Sequence, residues 1–136
     1  MVNKRPKKNK GKILFAEDDK FLAEMFRQKL KIEGYKPIIA HTAISAILAL
    51  KNEKPKAIIL DIVLPDSDCW MIMEYLKRKG KKKVPVMLLT NWGNNEYRQK
   101  AKELKADDFM VKASTTPQEI VKRMEELIKK YQSKNK

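Results

Sequence analysis

The stretch that decides the fold is Ala57-Ile58-Ile59-Leu60-Asp61, four apolar residues that end in an acid. A run this short and wholly apolar reads as a strand buried on both faces, which is how a central strand of a parallel sheet reads. An aspartate directly after it is expensive to hold near a core unless it has a task. Working outward, the same pattern recurs on both sides. Lys12 to Glu17 (KILFAE), Tyr35 to Ala40 (YKPIIA), Val84 to Leu89 (VPVMLL) and Asp108 to Val111 read as four more strands. Pro37 assigns the second of these to a sheet edge, because proline cannot donate to a ladder.

Helical patterns fall between the strands. Phe21 to Glu33 places Leu22, Met25, Phe26 and Leu30 on one face, with Asp19 as its cap and Gly34 as its end. Thr42 caps a second helix with Ala43, Ala46, Ile47 and Leu50 inward. In Cys69 to Lys79 two inward sets compete, Trp70, Met73 and Leu76 or Ile72 and Tyr75. Asn94 to Leu104 is a polar helix. Pro117 to Tyr131 carries Ile120, Val121, Met124, Leu127 and Ile128 on its apolar face. Five strand-then-helix units with short connections predict an α/β fold, an open five-stranded parallel sheet between two helical layers. Ligands of such sheets bind outside the carboxyl ends of the strands.

Those ends are chemically loaded. The first strand ends in Glu17-Asp18-Asp19, the third in Asp61, the fourth in Thr90 and the fifth in Lys112. Clustered carboxylates repel one another unless a cation is present. Magnesium suits such a site, since it takes oxygen ligands, keeps several waters and is held by one or two carboxylates plus a phosphate oxygen. A carboxylate beside it can attack phosphorus and become an aspartyl-phosphate, with Thr90 and Lys112 holding the phosphoryl oxygens.

The chain carries a formal charge of +14 over 136 residues. Residues 1–12 hold six Lys or Arg and no acid, and residues 129–136 hold four Lys and no acid. The middle segment then holds 21 basic residues against 17 acids. The excess is expected in basic disordered tails over 1–11 and 132–136, flanking one domain over 12–131. Such tails serve solubility, or touch a nucleic acid or anionic surface weakly. The cluster Lys77 to Lys83 suits a helix C-terminus. No apolar run approaches the ~20 residues of a membrane span. The single Cys69 excludes an internal disulfide, which suits a cytoplasmic protein.

ILFAEDD, AIILDIVLPDSD, VMLLTN and ADDFMVK, in this order and spacing, resemble the receiver domain of two-component response regulators over almost all of residues 12–131. The resemblance implies a flavodoxin-like three-layer sandwich with strand order 2-1-3-4-5. It implies Asp61 as phosphoacceptor, Asp19 binding Mg2+ directly, Asp18 through water, and the main-chain carbonyl of Val63 as a further ligand. Thr90 and Phe109 would form the switch pair, and the face built from the fourth helix, fifth strand and fifth helix would carry the signal. The implied partners are a histidine kinase or phosphotransfer protein and an unnamed downstream protein, with the chain a monomer or weak homodimer. It would be a stand-alone phosphoacceptor domain rather than a turnover enzyme.

Four features depart from the family pattern. Cys69 stands where glycine is usual, Asn91 and Trp92 follow Thr90 where a small residue is usual, Ala113 replaces the usual proline, and no output domain is expected after the receiver. Asn91 and Trp92 flank the path to Asp61 and predict slowed phosphoryl entry and hydrolysis. The rival readings are a receiver fold used for binding without phosphorylation, a nucleic-acid-associated protein acting through its tails, and an aspartate-nucleophile phosphatase. The last usually shows an acid two residues after its nucleophile, where this chain has Val63.

Overall fold

A computed structural model of the chain describes residues 9–78, 84–91 and 93–134. Trp92 and the run from Lys79 to Lys83, both singled out in the sequence, lie outside the described residues. The strands are β1 (Lys12–Ala16), β2 (Lys36–Ala40), β3 (Ala57–Asp61), β4 (Val86–Thr90) and β5 (Asp108–Val111). The helices are α1 (Lys20–Ile32), α2 (Ala43–Glu53), α3 (Trp70–Arg78), α4 (Asn95–Glu103) and α5 (Pro117–Lys134). All strand pairs are parallel and the sheet order is β2-β1-β3-β4-β5. This is the flavodoxin-like order expected, and Pro37 sits on an edge strand.

Alternation along β1 divides the core in two. Ile13 and Phe15 turn to one face of the sheet, where they meet Phe26 and Leu30 of α1 and Ile120, Val121, Met124 and Ile128 of α5. Leu14 and Ala16 turn to the other, where α2, α3 and α4 pack. Five-residue β3 and β4 are buried at every position, as their apolar runs require. Burial at this scale stabilises by roughly 25 cal/mol per Å² of apolar surface, which fixes the register of the sheet.

Several details differ from the expectation. Met25 is 44% exposed, and Ala23 takes its place on the buried face of α1 with Phe26 and Leu30. Both competing sets on α3 contribute: Ile72, Met73, Tyr75 and Leu76 are buried, and Trp70 is half-buried against the edge of the Tyr97 ring. β4 starts at Val86, after Pro85, whose carbonyl still accepts from Ile58 N–H at 3.0 Å. α5 runs through Lys134, beyond the boundary drawn at Tyr131. At the other end, Lys10 N–H donates to the Gly34 carbonyl at 2.9 Å and its ammonium meets Glu125 at 3.1 Å, so residues 9–11 are fastened to the domain.

Candidate functional site

The carboxyl ends of the central strands surround a cavity of about 300 Å³, lined by Glu17, Asp18, Asp19, Leu22, Asp61, Val63, Thr90, Asn91 and Lys112. Crossover topology gathers these residues from the ends of β1, β3, β4 and β5. Asp61 and Thr90 are the last residues of their strands and keep only 8% and 1% exposure. Asp18 and Asp19 are exposed, one residue further out.

Lys112 is the cation of the site. Its Nζ donates to Asp61 Oδ2 at 2.9 Å and to Glu17 Oε1 at 2.6 Å. Burial alone would lower its pKa, but the hydrogen bonds to Glu17 and Asp61 outweigh that and hold it above the ordinary lysine value. Glu17 shows the opposite balance. Burial raises its carboxyl above the usual range, the Lys112 hydrogen bond lowers it, and the Asp61 charge raises it again, for a net upward shift.

Glu17 stands at a strand end in the sequence with no role of its own, and the structure supplies one. Its other oxygen, Oε2, accepts from Asp19 N–H at 3.1 Å. Its main-chain carbonyl accepts from His41 Nδ1 at 2.8 Å, so that nitrogen carries the proton. Asp19 performs the capping role read from the sequence: Oδ1 accepts from Phe21 and Leu22 N–H at 3.0 and 3.1 Å. Asp18 has no such commitment among the described residues. Asp61, Asp18, Asp19 and Val63 thus share one cavity, but among the described residues no three acids, histidines or cysteines converge into a ready-made metal cage. The donor set still fits magnesium, which needs few protein oxygens and completes its shell with water and phosphate.

The loop after Asp61 is tightly held. Val63 N–H donates to Asp61 Oδ1 at 3.3 Å, Val63 pairs with Asp68 in an isolated antiparallel bridge, and Leu64 N–H donates to the Ser67 carbonyl at 3.1 Å. Asp66, to which the sequence assigned nothing, anchors this loop on α2. Its two carboxylate oxygens accept from Ala43 and Ile44 N–H at 2.7 and 3.0 Å, and these bonds depress its pKa. Thr42 meanwhile caps Ser45 N–H through a capping box, so α2 has two caps from two segments.

Cys69 is fully buried, and its N–H donates to the Ile62 carbonyl at 2.8 Å. Burial, with the nearby Asp68 and Asp61 charges, pushes its thiol far above the ordinary value, so it acts as packing and not as a reactive thiolate. After Val111 the chain makes a single 3₁₀ turn over Lys112–Ser114 in which Ala113 is exposed. Phe109 is half-buried against the α2–α4 side of the core, and the Arg98 guanidinium of α4 lies 4.7 Å from its ring centre.

With the fold and this edge in view, the class is defined: the chain belongs to the response regulator receiver domain family, whose model matches residues 13–125. Among curated proteins it is similar to the transcriptional regulatory protein CusR of Escherichia coli K12, 37% identical over 101 residues, which is 74% of this chain and 44% of that protein. It is 32% identical over 120 residues to the phosphate regulon regulator PhoB of the same strain, covering 88% of this chain and 52% of PhoB. The chain spans about half the length of the curated relatives it matches. Among solved structures, a CheY-like receiver domain protein from Methanospirillum hungatei JF-1 superposes with a TM-score of 0.84 at 24% identity, covering 90% of this chain and 97% of that one. The non-phosphorylated HemR receiver domain of Leptospira biflexa gives 0.79 at 28% identity, covering 88% and 94%. Receiver domains are phosphoacceptor signalling domains of two-component systems. Among the described residues no helix is long and apolar enough to cross a membrane.

Proposed function

We propose that the chain accepts a phosphoryl group on Asp61 from a histidine kinase or phosphotransfer protein. The observation that carries this reading is the setting of Asp61: a buried carboxylate at the end of the central strand, bound to Lys112 and facing an open acid-lined cavity. A carboxylate oxygen of Asp61 attacks phosphorus as the bond to the donor nitrogen breaks, and the imidazole leaves with a proton. Lys112 then exchanges part of its carboxylate pairing for a phosphoryl oxygen, and Thr90 donates its hydroxyl to another. Magnesium, when bound, neutralises charge on the phosphoryl group and the carboxylates together.

Asp18, Asp61 and the Val63 carbonyl are the proposed ligands, with Asp19 at the same rim. Its Oδ1 is used by the α1 cap, which favours Asp18 as the direct ligand and Glu17 as the buried acid acting from behind. Phe21 is 78% exposed at the start of α1, next to the capping Asp19, and gives an incoming donor an apolar foothold. The output is a changed α4-β5-α5 face. Movement of Thr90 toward the phosphoryl group makes room for Phe109 to turn inward, and Arg98 ties that ring to α4.

A small-molecule phosphodonor with magnesium tests the reading. Intact mass should show one added phosphoryl group in the parent, and none in a folded Asp61→Asn variant or after chelation. Equal labelling of the variant defeats the assignment. No label in a parent that binds magnesium favours a receiver fold used for binding alone, a reading motivated by Cys69, Asn91 and Ala113.

A further inference from the structure

In this fold every strand starts, and every helix ends, at the edge opposite Asp61, roughly 15 Å away along five-residue strands. That edge is strongly basic. Lys36 begins β2 and is the register partner of Lys12, the first residue of β1. Lys56 precedes β3 and donates its N–H to the Lys12 carbonyl at 2.8 Å. Three lysines therefore stand side by side across adjacent strands about 4.8 Å apart, an arrangement in which like charges repel. Glu53 pairs with Lys12 at 2.9 Å, while Lys36 and Lys56 form no ion pair among the described residues. Lys31, Lys54, Lys77 and Arg78 extend the patch from the ends of α1, α2 and α3, all exposed and without ion pairs among the described residues.

Helix dipoles explain cations in the last turns of helices. They do not explain Lys36, which opens β2, or Lys56, which precedes β3. Nor do they explain the residue at the α2 C-cap. Lys54 adopts left-handed backbone geometry with φ 50°, where glycine or asparagine is usual and other residues are strained by about 1 kcal/mol. Lys105, after α4, does the same at φ 61°. Gly11, held at φ 109°, leaves room for the Lys56 stem, whose Cδ would lie 2.7 Å from a Cβ at that position.

We propose that this basic pole is a binding surface for a nucleic-acid phosphate backbone, read without sequence preference. The alternatives fit less well. An anionic bilayer surface would be gripped by apolar side chains among the cations, yet among the described exposed large hydrophobic residues only Ile32 lies at this end. No described aromatic side chain is exposed there to stack on bases, which points to backbone contacts alone. The pole and Asp61 are at opposite edges of one sheet, so both can be engaged at once. The surface is built from the folded domain, at the edge where β1 begins and α5 ends.

The test uses the full chain and a fluorescein-labelled duplex of about 20 base pairs, with affinity measured across salt concentrations. One variant combines Lys36→Gln, Lys54→Gln and Lys56→Gln. A control of equal charge, away from the C-terminal ends of the helices, combines Lys20→Gln, Arg98→Gln and Lys122→Gln. Each lysine–phosphate pairing removed should flatten the log–log salt slope by about 0.9. The pole variant should therefore lose up to about 2.7 of slope and at least about tenfold in affinity at low salt, and the control less than half as much. Equal losses in the two variants would overturn the proposal, because net charge or the termini would then suffice. So would unchanged binding in the pole variant, or binding to phosphatidylserine vesicles in place of the duplex. Labelling of Asp61 should proceed unchanged with duplex bound, and a block of labelling by the duplex would contradict binding at the opposite edge.

Discussion

Replacing Lys112 with methionine removes the cation that bridges two buried acids. The side chains of Lys112, Glu17 and Asp61 keep 13%, 2% and 11% exposure, so solvent screens this network little. Removing one partner of a buried ion pair costs roughly 3–5 kcal/mol, because the remaining charge is left uncompensated. Two acids share Lys112 here, so Lys112→Met should fall in that range in the presence of chelator at pH 7. For a domain of this size that is a drop in melting temperature of roughly 10–20 °C. Adding Asp61→Asn removes one of the two stranded charges, and the double variant should regain at least about 1 kcal/mol over Lys112→Met. Acid should have a similar effect. The folded pKa of Glu17 is already above its unfolded value, so in the interval between them the native state binds more protons and stability falls as pH rises. Loss of Lys112 widens that interval, and the deficit of the variant should shrink between pH 7 and pH 5. Urea unfolding of the parent, both single variants and the double variant at the two pH values measures all of this. A Lys112→Met variant within about 0.5 kcal/mol of the parent, or a double variant no better than Lys112→Met, would refute the electrostatic reasoning.

Asp66→Ala should weaken magnesium binding and slow labelling of Asp61, since it releases the loop carrying Val63 from the α2 N-terminus, with Asp66→Asn intermediate; a magnesium titration followed by tryptophan fluorescence reports it. Cys69→Gly should cost on the order of 1–2 kcal/mol, from poorer packing and added backbone freedom, measured by urea unfolding. In the parent, the Cys69 thiol should react with Ellman's reagent only on unfolding. Arg98→Ala should shift the switch equilibrium toward inward Phe109 by about two- to fivefold, the value of a surface cation–π contact, seen in the 19F spectrum of fluorophenylalanine-labelled protein. Asn91→Ala should speed both labelling of Asp61 and decay of the label, because Asn91 lines the cavity beside Thr90; equal time courses would show that it does not control access.

The central strands were legible because parallel strands buried on both faces write short apolar runs, and Asp61 and Thr90 close such runs directly; β5 is half-buried throughout, and Lys112 follows it. Pro37 marked the edge strand for the same kind of reason, a missing donor. Helix faces were less legible at their margins. Met25 fits the period of α1, yet it lies where the apolar stripe meets solvent, and small Ala23 is buried instead. The acids of Glu17-Asp18-Asp19 show the limit most clearly. Three adjacent carboxylates could be counted, and the metal roles of Asp18 and Asp19 came from the resemblance alone, since only the turn from β1 into α1 decides which points inward. One signal was present: a residue that caps a helix, as Asp19 does, has already committed an oxygen. Asp66 could not be assigned at all, because its partners lie more than 20 positions away on α2. The same holds for the basic pole, which becomes a surface only when the crossovers bring separate segments to one edge.

If Asp61 carries the phosphoryl group, the acyl phosphate can be located on the chain itself. After labelling with a small phosphodonor and magnesium, borohydride reduces an aspartyl-phosphate to homoserine, which peptide mass mapping places at one position. Homoserine should appear at position 61 and nowhere else. Homoserine at position 18 or 19, or a borohydride-stable phosphate ester on Thr90, would show that Asp61 is not the phosphoacceptor.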